Sequence, residues 1–319
     1  MNILYLCDKK SYNTKMSRVR FHGMQAIGKV ANMHWSGNNW PDYDNNKTVQ
    51  ENINTIYDGK DKPTLVVAYK PLELRKFGDI DCVKCIRYNE MYDVAWTRKE
   101  IDESKSDIVI CHHNNDMLTY REIYKNKEVR FINLPHCAEK TIYKEYKHEK
   151  QLDILLVGAI FTKSILGDHY PLRIRMAREI IPRMRNKYKC GILKHPGGDL
   201  LDAATDRNSH EYAKVINSAK ICVTCSGAPK SRFGKYIEIP MCGTAIAADM
   251  PGEEQEKFNK FLIEINMDMS DEEIIEKLSY YLDNENERFK VVQEGLKYSE
   301  NYTQEHYAER FIREVKNAI

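Results

Sequence analysis

Short apolar runs alternate along this chain with longer amphipathic or polar stretches. Residues 2–7 (Asn-Ile-Leu-Tyr-Leu-Cys) form an apolar run of the kind buried on both faces of a parallel sheet. Residues 17–30 follow with helical periodicity through Val19, Met24 and Ile27, and Gly28 marks the predicted end of that helix. A short strand is predicted at 33–35. The Asn-, Asp- and Gly-rich stretch 38–61 reads mainly as loop, with a helix around 49–56. Further strands are predicted at 64–69, 83–88, 108–111 and 129–134, separated by polar, helix-compatible sequence. This alternation predicts a doubly wound parallel sheet.

Between 135 and 151 the sequence turns strongly polar, and a fresh apolar run begins at 153–158. The second half then repeats the grammar. Strands are expected at 153–158, 190–193, 221–225, 244–248 and 261–265, with helices at 171–184, 210–219, 233–241 and 270–283. Ser270 with Glu273 three residues on is a capping box for the last of these. The expected organisation is α/β: a Rossmann-like domain at 1–150, a second at 151–297, and a C-terminal helix at 298–319 that crosses back onto the first domain. A chain of 319 residues suits two domains at roughly 150 residues each. Open parallel sheets bind ligands beyond the carboxyl ends of their strands, so an interdomain cleft lined by both sets of loops is expected.

Composition narrows the partners. Lys and Arg total 49 against 47 Asp and Glu, a net charge of +2, which supplies no global field for holding a polyanion. The opening MNILYLCDKK is apolar too briefly for a secretory signal, and no apolar run approaches the roughly 20 residues of a membrane helix, so a cytoplasmic protein is expected. The nine cysteines are scattered in apolar contexts such as Cys7, Cys111, Cys190 and Cys222. The pairs Cys82/Cys85 and Cys222/Cys225 therefore read as core thiols rather than zinc ligands, because residues three apart in a strand point to opposite faces. Asp42/Asp44 and Asp79/Asp81 do not follow a strand's carboxyl end, so no metal site is expected.

The chemistry concentrates at 212–249. Ser226-Gly227-Ala228 is a small-residue loop open to close approach by phosphate, and Lys230, Arg232 and Lys235 surround the start of the next predicted helix, where anions bind. Glu238 lies one turn beyond Lys235 on the same face, placed to accept hydrogen bonds from ribose hydroxyls. An ordinary solvated helix with a Lys–Glu pair has the same spacing. Gly158, at the end of the strand 153–158, lets backbone approach a ligand closely. Arg173, in the helix opened by Pro171, is a candidate phosphate or base contact. His195, in the Lys-His-Pro-Gly-Gly stretch after 190–193, is a candidate base or sugar contact.

This region resembles the GT-B glycosyltransferases, in particular the spore-maturation (CgeB-like) and family 4 group. The resemblance rests on the order of strand, small-residue loop, helix, Glu238 and Cys242-Gly243, on DILLVGAIFTKSILGDHYPLRIRMAREIIP at 153–182, and on the Leu-Pro-His segment ending at His136. It implies a hexosyl- or related transferase taking a nucleotide-diphosphate sugar, with Glu238 on the ribose and no cofactor beyond that substrate. The leaving diphosphate needs positive charge, which Lys235 with Arg232 or the helix dipole is placed to supply. One position departs from the pattern. The family 4 motif places an acid two helical turns before the ribose-binding glutamate, and here that position is Lys230, so the sugar contact differs.

The acceptor hydroxyl belongs to a glycan, a lipid-linked molecule or a small molecule and is expected at the first domain. There Glu90, Asp93, His112, His113 and Asp116 follow strand ends, and Glu90 and His112 are the preferred general bases. Arg18, Arg20 and His22, after the first strand, are candidates for an anionic acceptor or for the donor diphosphate. Two other readings stay open: transfer to hydroxymethylated DNA bases, in which nucleic acid is the acceptor, and a GT-B domain that binds nucleotide sugar without turnover.

Overall fold

The computed structural model describes residues 1–12, 18–88, 93–164, 167–193 and 207–319, with 18, 19 and 207 described by backbone alone. They form two compact units. One joins Met1–Pro135 to Gln304–Ile319, and the other lies within 136–303.

In the first unit, β1 (Asn2–Leu6), β2 (Asn32–Ser36), β3 (Leu65–Ala68), β4 (Val83–Tyr88), β5 (Ile108–Cys111) and β6 (Arg130–Asn133) make one parallel sheet, in the order β2-β1-β3-β4-β5-β6. Register places Leu6, Ala68 and Ile86 side by side on one face, and Tyr5, Val67 and Cys85 on the other. The Leu6 face packs against α2 (Val49–Ile56), α3 (Val94–Ser104) and α4 (Asn114–Ile123), through Val49, Ile53, Ile101 and Tyr120. The Tyr5 face belongs to α1 (Arg18–Val30) and the C-terminal helix (Gln304–Ala318), which pack on each other. A Cβ at Gly23 would lie 3.1 Å from Tyr307 Cε1, which accounts for a glycine inside α1. Helix α1 continues past Gly28 to Val30. With both faces covered, the central strands β3 and β5 read as unbroken apolar runs.

The second unit repeats this order. β7 (Leu152–Val157) opens it, followed by a short antiparallel pair, β8 (Lys163–Ser164) with β9 (Gly167–Asp168). The main sheet joins β10 (Cys190–Leu193), β11 (Ala219–Val223), β12 (Ala245–Ala248) and β13 (Ile263–Glu264) to β7 in the parallel order β10-β7-β11-β12-β13. Both units therefore place their second strand outside the first and build outward from the third on the other side.

Helix α5 (Pro171–Arg175) widens into a π turn (Met176–Ile180) before α6 (Ile181–Met184). Pro182 has no N–H to give the Arg178 carbonyl and its ring crowds that turn, a sufficient cause for the widening. The remaining helices are α7 (Arg207–Asn217), α8 (Lys235–Met241), α9 (Gln255–Phe258), α10 (Asp271–Asp283) and α11 (Glu285–Ser299). Ser270 and Glu273 form the capping box of α10. The chain expected as one helix from 298 instead ends α11 at Ser299, makes a 3-10 turn (Glu300–Tyr302) and restarts at Gln304.

Residues 136–150, grouped on sequence with the first domain, pack in the second unit. Ala138 bridges Thr303, and Lys150 Nζ donates to the Asn217 and Gly243 carbonyls at 2.6 and 2.9 Å. A polar composition shift marked the approach to a strand there, while the fold changes hands earlier, after Pro135.

Candidate functional site

In a doubly wound sheet the ligand crevice opens where strands leave in opposite directions from the first strand. In the second unit that point lies between β7 and β11. Gly158, directly after β7, has φ +104°, and a Cβ there would lie 2.7 Å from Arg173 Nη1. Glycine is needed because the arginine fills that space.

Arg173 is 3% exposed. Its Nη1 donates to the Ala159 carbonyl (2.9 Å), and its Nη2 donates to Thr224 Oγ1 (2.9 Å) and the Cys225 carbonyl (3.3 Å). The guanidinium also stacks 4.1 Å from the Tyr170 ring. The structure corrects the expectation of a ligand contact here. Arg173 ties the ends of β7 and β11 together and positions the crevice floor.

The loop after β11 is anchored from a residue the sequence reading passed over. Asp249, following β12, accepts from the Ser226 N–H (2.7 Å), the Ser226 hydroxyl (2.6 Å) and Lys230 Nζ (2.9 Å), while Tyr236 donates to its carbonyl (2.6 Å). The Ala228 N–H goes to the His169 carbonyl. Gly227 has φ +69°, and a Cβ on it would meet the His169 oxygen at 2.8 Å. Ser226 and Gly227 thus shape a loop whose donors turn inward, so their expected role of cradling a phosphate gives way to setting the start of α8. Lys230 sits in the left-handed region (φ +53°) with its ammonium on Asp249.

At that helix start the expected pair is assembled. Lys235 and Glu238 form a buried ion pair, the lysine side chain 13% exposed and the glutamate 7%. The Lys235 ammonium lies 4.7 Å from the Tyr212 ring centroid. Burial pulls Lys235 toward neutrality, and Glu238 and then Tyr212 outweigh it, so its pKa ends above the usual lysine value. The charge of Arg173 opposes that rise.

Arg232 stands elsewhere. It is fully buried, 4.5 Å from the Tyr302 ring centroid, donating to the Tyr298 hydroxyl (3.3 Å) and paired with Glu254 (3.4 Å). Glu254 also accepts from both tyrosine hydroxyls and meets Lys257 at 2.5 Å. Its carboxyl is held at about 2; burial opposes this, and Arg232, Lys257 and the tyrosines override it. Arg232 is therefore a core cation under the loop and not a diphosphate contact.

Glu90 and His195 lie outside the described residues. His112 is buried, with Nδ1 2.6 Å from the Leu134 carbonyl and Nε2 accepting from Arg87 Nε. A carbonyl at Nδ1 requires the proton there, which leaves Nε2 as the acceptor for Arg87. Both ring nitrogens are engaged, and the structure gives His112 the role of orienting Arg87 in place of the expected general base. The described residues include no group of three metal-ligating side chains.

Two doubly wound units of matching strand order are the architecture of the GT-B fold. Residues 169–314 match the family model described as glycosyl transferase-like. The matched region includes the whole of 212–249 and part of 153–182, two of the three segments on which the resemblance rested. Among solved structures, sucrose-phosphate synthase from Thermosynechococcus elongatus superposes with a TM-score of 0.63 at 13% identity, covering 99% of this chain and 98% of that one. Anabaena HepE in complex with UDP and glucose gives a TM-score of 0.63 at 9% identity over 100% of both chains. A glycosyltransferase from Rickettsia africae gives 0.62 at 12% identity, covering 99% and 98%. At these identities the likeness establishes the fold. No curated protein matches the chain.

Proposed function

We propose that the protein is a glycosyltransferase that moves a sugar from a nucleotide-diphosphate donor to an acceptor hydroxyl. The reading is carried by the buried Lys235–Glu238 pair beside the crevice of the second unit. A desolvated ion pair adds little stability over an apolar pair of the same volume, so one kept at a strand-end crevice marks a candidate site. Donor binding exchanges partners: Glu238 turns to the ribose hydroxyls and Lys235 to a diphosphate oxygen. As the glycosidic bond breaks, negative charge grows on the diphosphate, and Lys235 stabilises it most at that moment. This compensation uses a side chain and calls for no resident metal. With His112 engaged, the reading assigns no general base, a requirement of inverting transfer but not of retaining transfer. The HepE complex with UDP-glucose supports a uridine donor as the first to test.

Nucleoside diphosphate release across a donor panel tests this. Turnover is expected with at least one UDP sugar, and Lys235→Gln should lower it about 10²–10³-fold while weakening UDP binding less. Near-parental turnover in the variant overturns the assignment. The occupation of the family's acidic position by Lys230, itself tied to Asp249, favours one second reading: a domain that binds UDP sugar without turnover, which the same panel reveals as binding without release.

A further inference from the structure

We propose that the first unit carries an anion-binding subsite, built on Arg20 and Arg87 at the carboxyl edge of its sheet, that takes the carboxylate or phosphate of an acidic acceptor. The word acceptor rests on the glycosyltransferase reading; the anion site does not.

Arg87 is the penultimate residue of β4 and lies two positions beyond Cys85, which places it on the sheet face of Tyr5 and Val67. Its Nε donates to His112 Nε2, and His112 is itself fixed by the Leu134 carbonyl, so the guanidinium is aimed by a two-step relay. Nη1 is buried and has no hydrogen-bond partner. Arg20, in the first turn of α1, lies with its Cζ 5.3 Å from the ring of Tyr69, the residue following β3. That helix turn contains no acid, so its partial positive charge adds to the two arginines.

Glu100 acts on Arg20, whereas the described groups that act most strongly on Arg87 include no carboxylate. Burial acts most strongly on Arg87, then the repulsion of Arg20, then Tyr307, Tyr5 and Tyr69, and the result is a pKa of about 9, far below that of an ordinary guanidinium. Arg20, over the Tyr69 ring, and the buried Arg87 repel each other, and burial leaves Arg87 poorly solvated. A carboxylate or phosphate reverses both costs and can accept from the buried, unpartnered Nη1. His112 accounts for the geometry: it holds Arg87 by Nε and leaves Nη1 without a partner.

The test uses the full chain at constant ionic strength set with chloride, and follows the thermal midpoint and titration calorimetry. Inorganic phosphate and glucuronate are the probes, glucose is the uncharged control, and each is titrated with and without saturating UDP. Phosphate and glucuronate together support the general anion site, and a response to one alone assigns the subsite to that chemistry. Saturable binding is expected in the parent, at least tenfold weaker in Arg87→Gln and in Arg20→Gln, with UDP affinity unchanged in both. Arg20 is only half-buried, so Arg20→Gln decides the matter if Arg87→Gln does not fold. No saturable response above chloride, parental binding in both variants, or loss of the response under UDP overturns the proposal. If UDP fails to bind while the arginine-dependent phosphate response persists, the donor reading falls and the anion site stands.

Discussion

Replacing Glu238 by alanine would strand Lys235, with 13% of its side chain exposed, against Tyr212 and Arg173 without its counter-ion. Removing one partner of a buried pair costs about 3–5 kcal/mol. The residual access of the lysine tip lets it snorkel toward water, which places the expected loss near the lower end, about 3 kcal/mol. For a unit of this size that is a fall of roughly 6–12 °C in the midpoint. Replacing both residues, Glu238→Leu with Lys235→Met, should restore most of the loss, because an apolar pair leaves no stranded charge. Two units need not unfold together, so the assay must tell them apart. The three tryptophans, at 35, 40 and 96, all lie in the first unit. Tryptophan emission then follows that unit alone, while far-ultraviolet circular dichroism follows both. The expected result is a lowered dichroism transition with the emission transition unmoved, and recovery in the double variant. A loss under about 1 kcal/mol, or a double variant as unstable as Glu238→Ala, refutes the picture of a desolvated, mutually dependent pair.

Acid should weaken the second unit through Glu254. Its folded pKa of about 2 lies below the ordinary 4.5, so its contribution is complete above about pH 4.5 and is lost as pH falls toward 2, in all about 3 kcal/mol. Glu254→Gln should remove that part of the pH dependence in dichroism-monitored unfolding, and an unchanged acid slope would count against it. Gly158→Ala must place a methyl group against Arg173 at φ +104°, and should cost about 1–3 kcal/mol in strain alone. UDP affinity measured by calorimetry should fall with it, and a variant matching the parent in both would show that the Arg173 tie is dispensable.

The central strands β3 and β5 were legible because every residue in them is buried, which leaves an apolar run. The runs at 83–88, 108–111 and 190–193 match β4, β5 and β10 residue for residue. Helix α11 was not, because Glu285–Ser299 is polar along much of its length and only Gly295, Tyr298 and Ser299 are buried. Lys235 and Glu238 could be paired from spacing alone, since one helical turn brings them together. Arg232 could not be placed that way: its partners Glu254, Tyr298 and Tyr302 stand 22 to 70 residues on, and nothing local distinguishes an arginine bound for the core from one bound for a ligand. The same holds for Asp249 under the loop of Ser226, 23 residues earlier, and for Arg87 at His112, 25 residues earlier. In each case local sequence supplied the residue type and a distant segment supplied its role.

The C-terminal helix has a consequence for how the protein is made. The described residues of the second unit all lie between 136 and 303, whereas the first unit needs Gln304–Ala318 against α1 to close the Tyr5 face of its sheet. At about 5–20 residues per second, a ribosome takes roughly ten to thirty seconds to pass from one end of that interval to the other. For that time the nascent first unit carries an apolar sheet face and one side of α1 uncovered, while the unit translated after it is free to complete. The part of the molecule that is synthesised first is thus finished last, and its waiting surface is where a chaperone would be expected to hold the emerging chain.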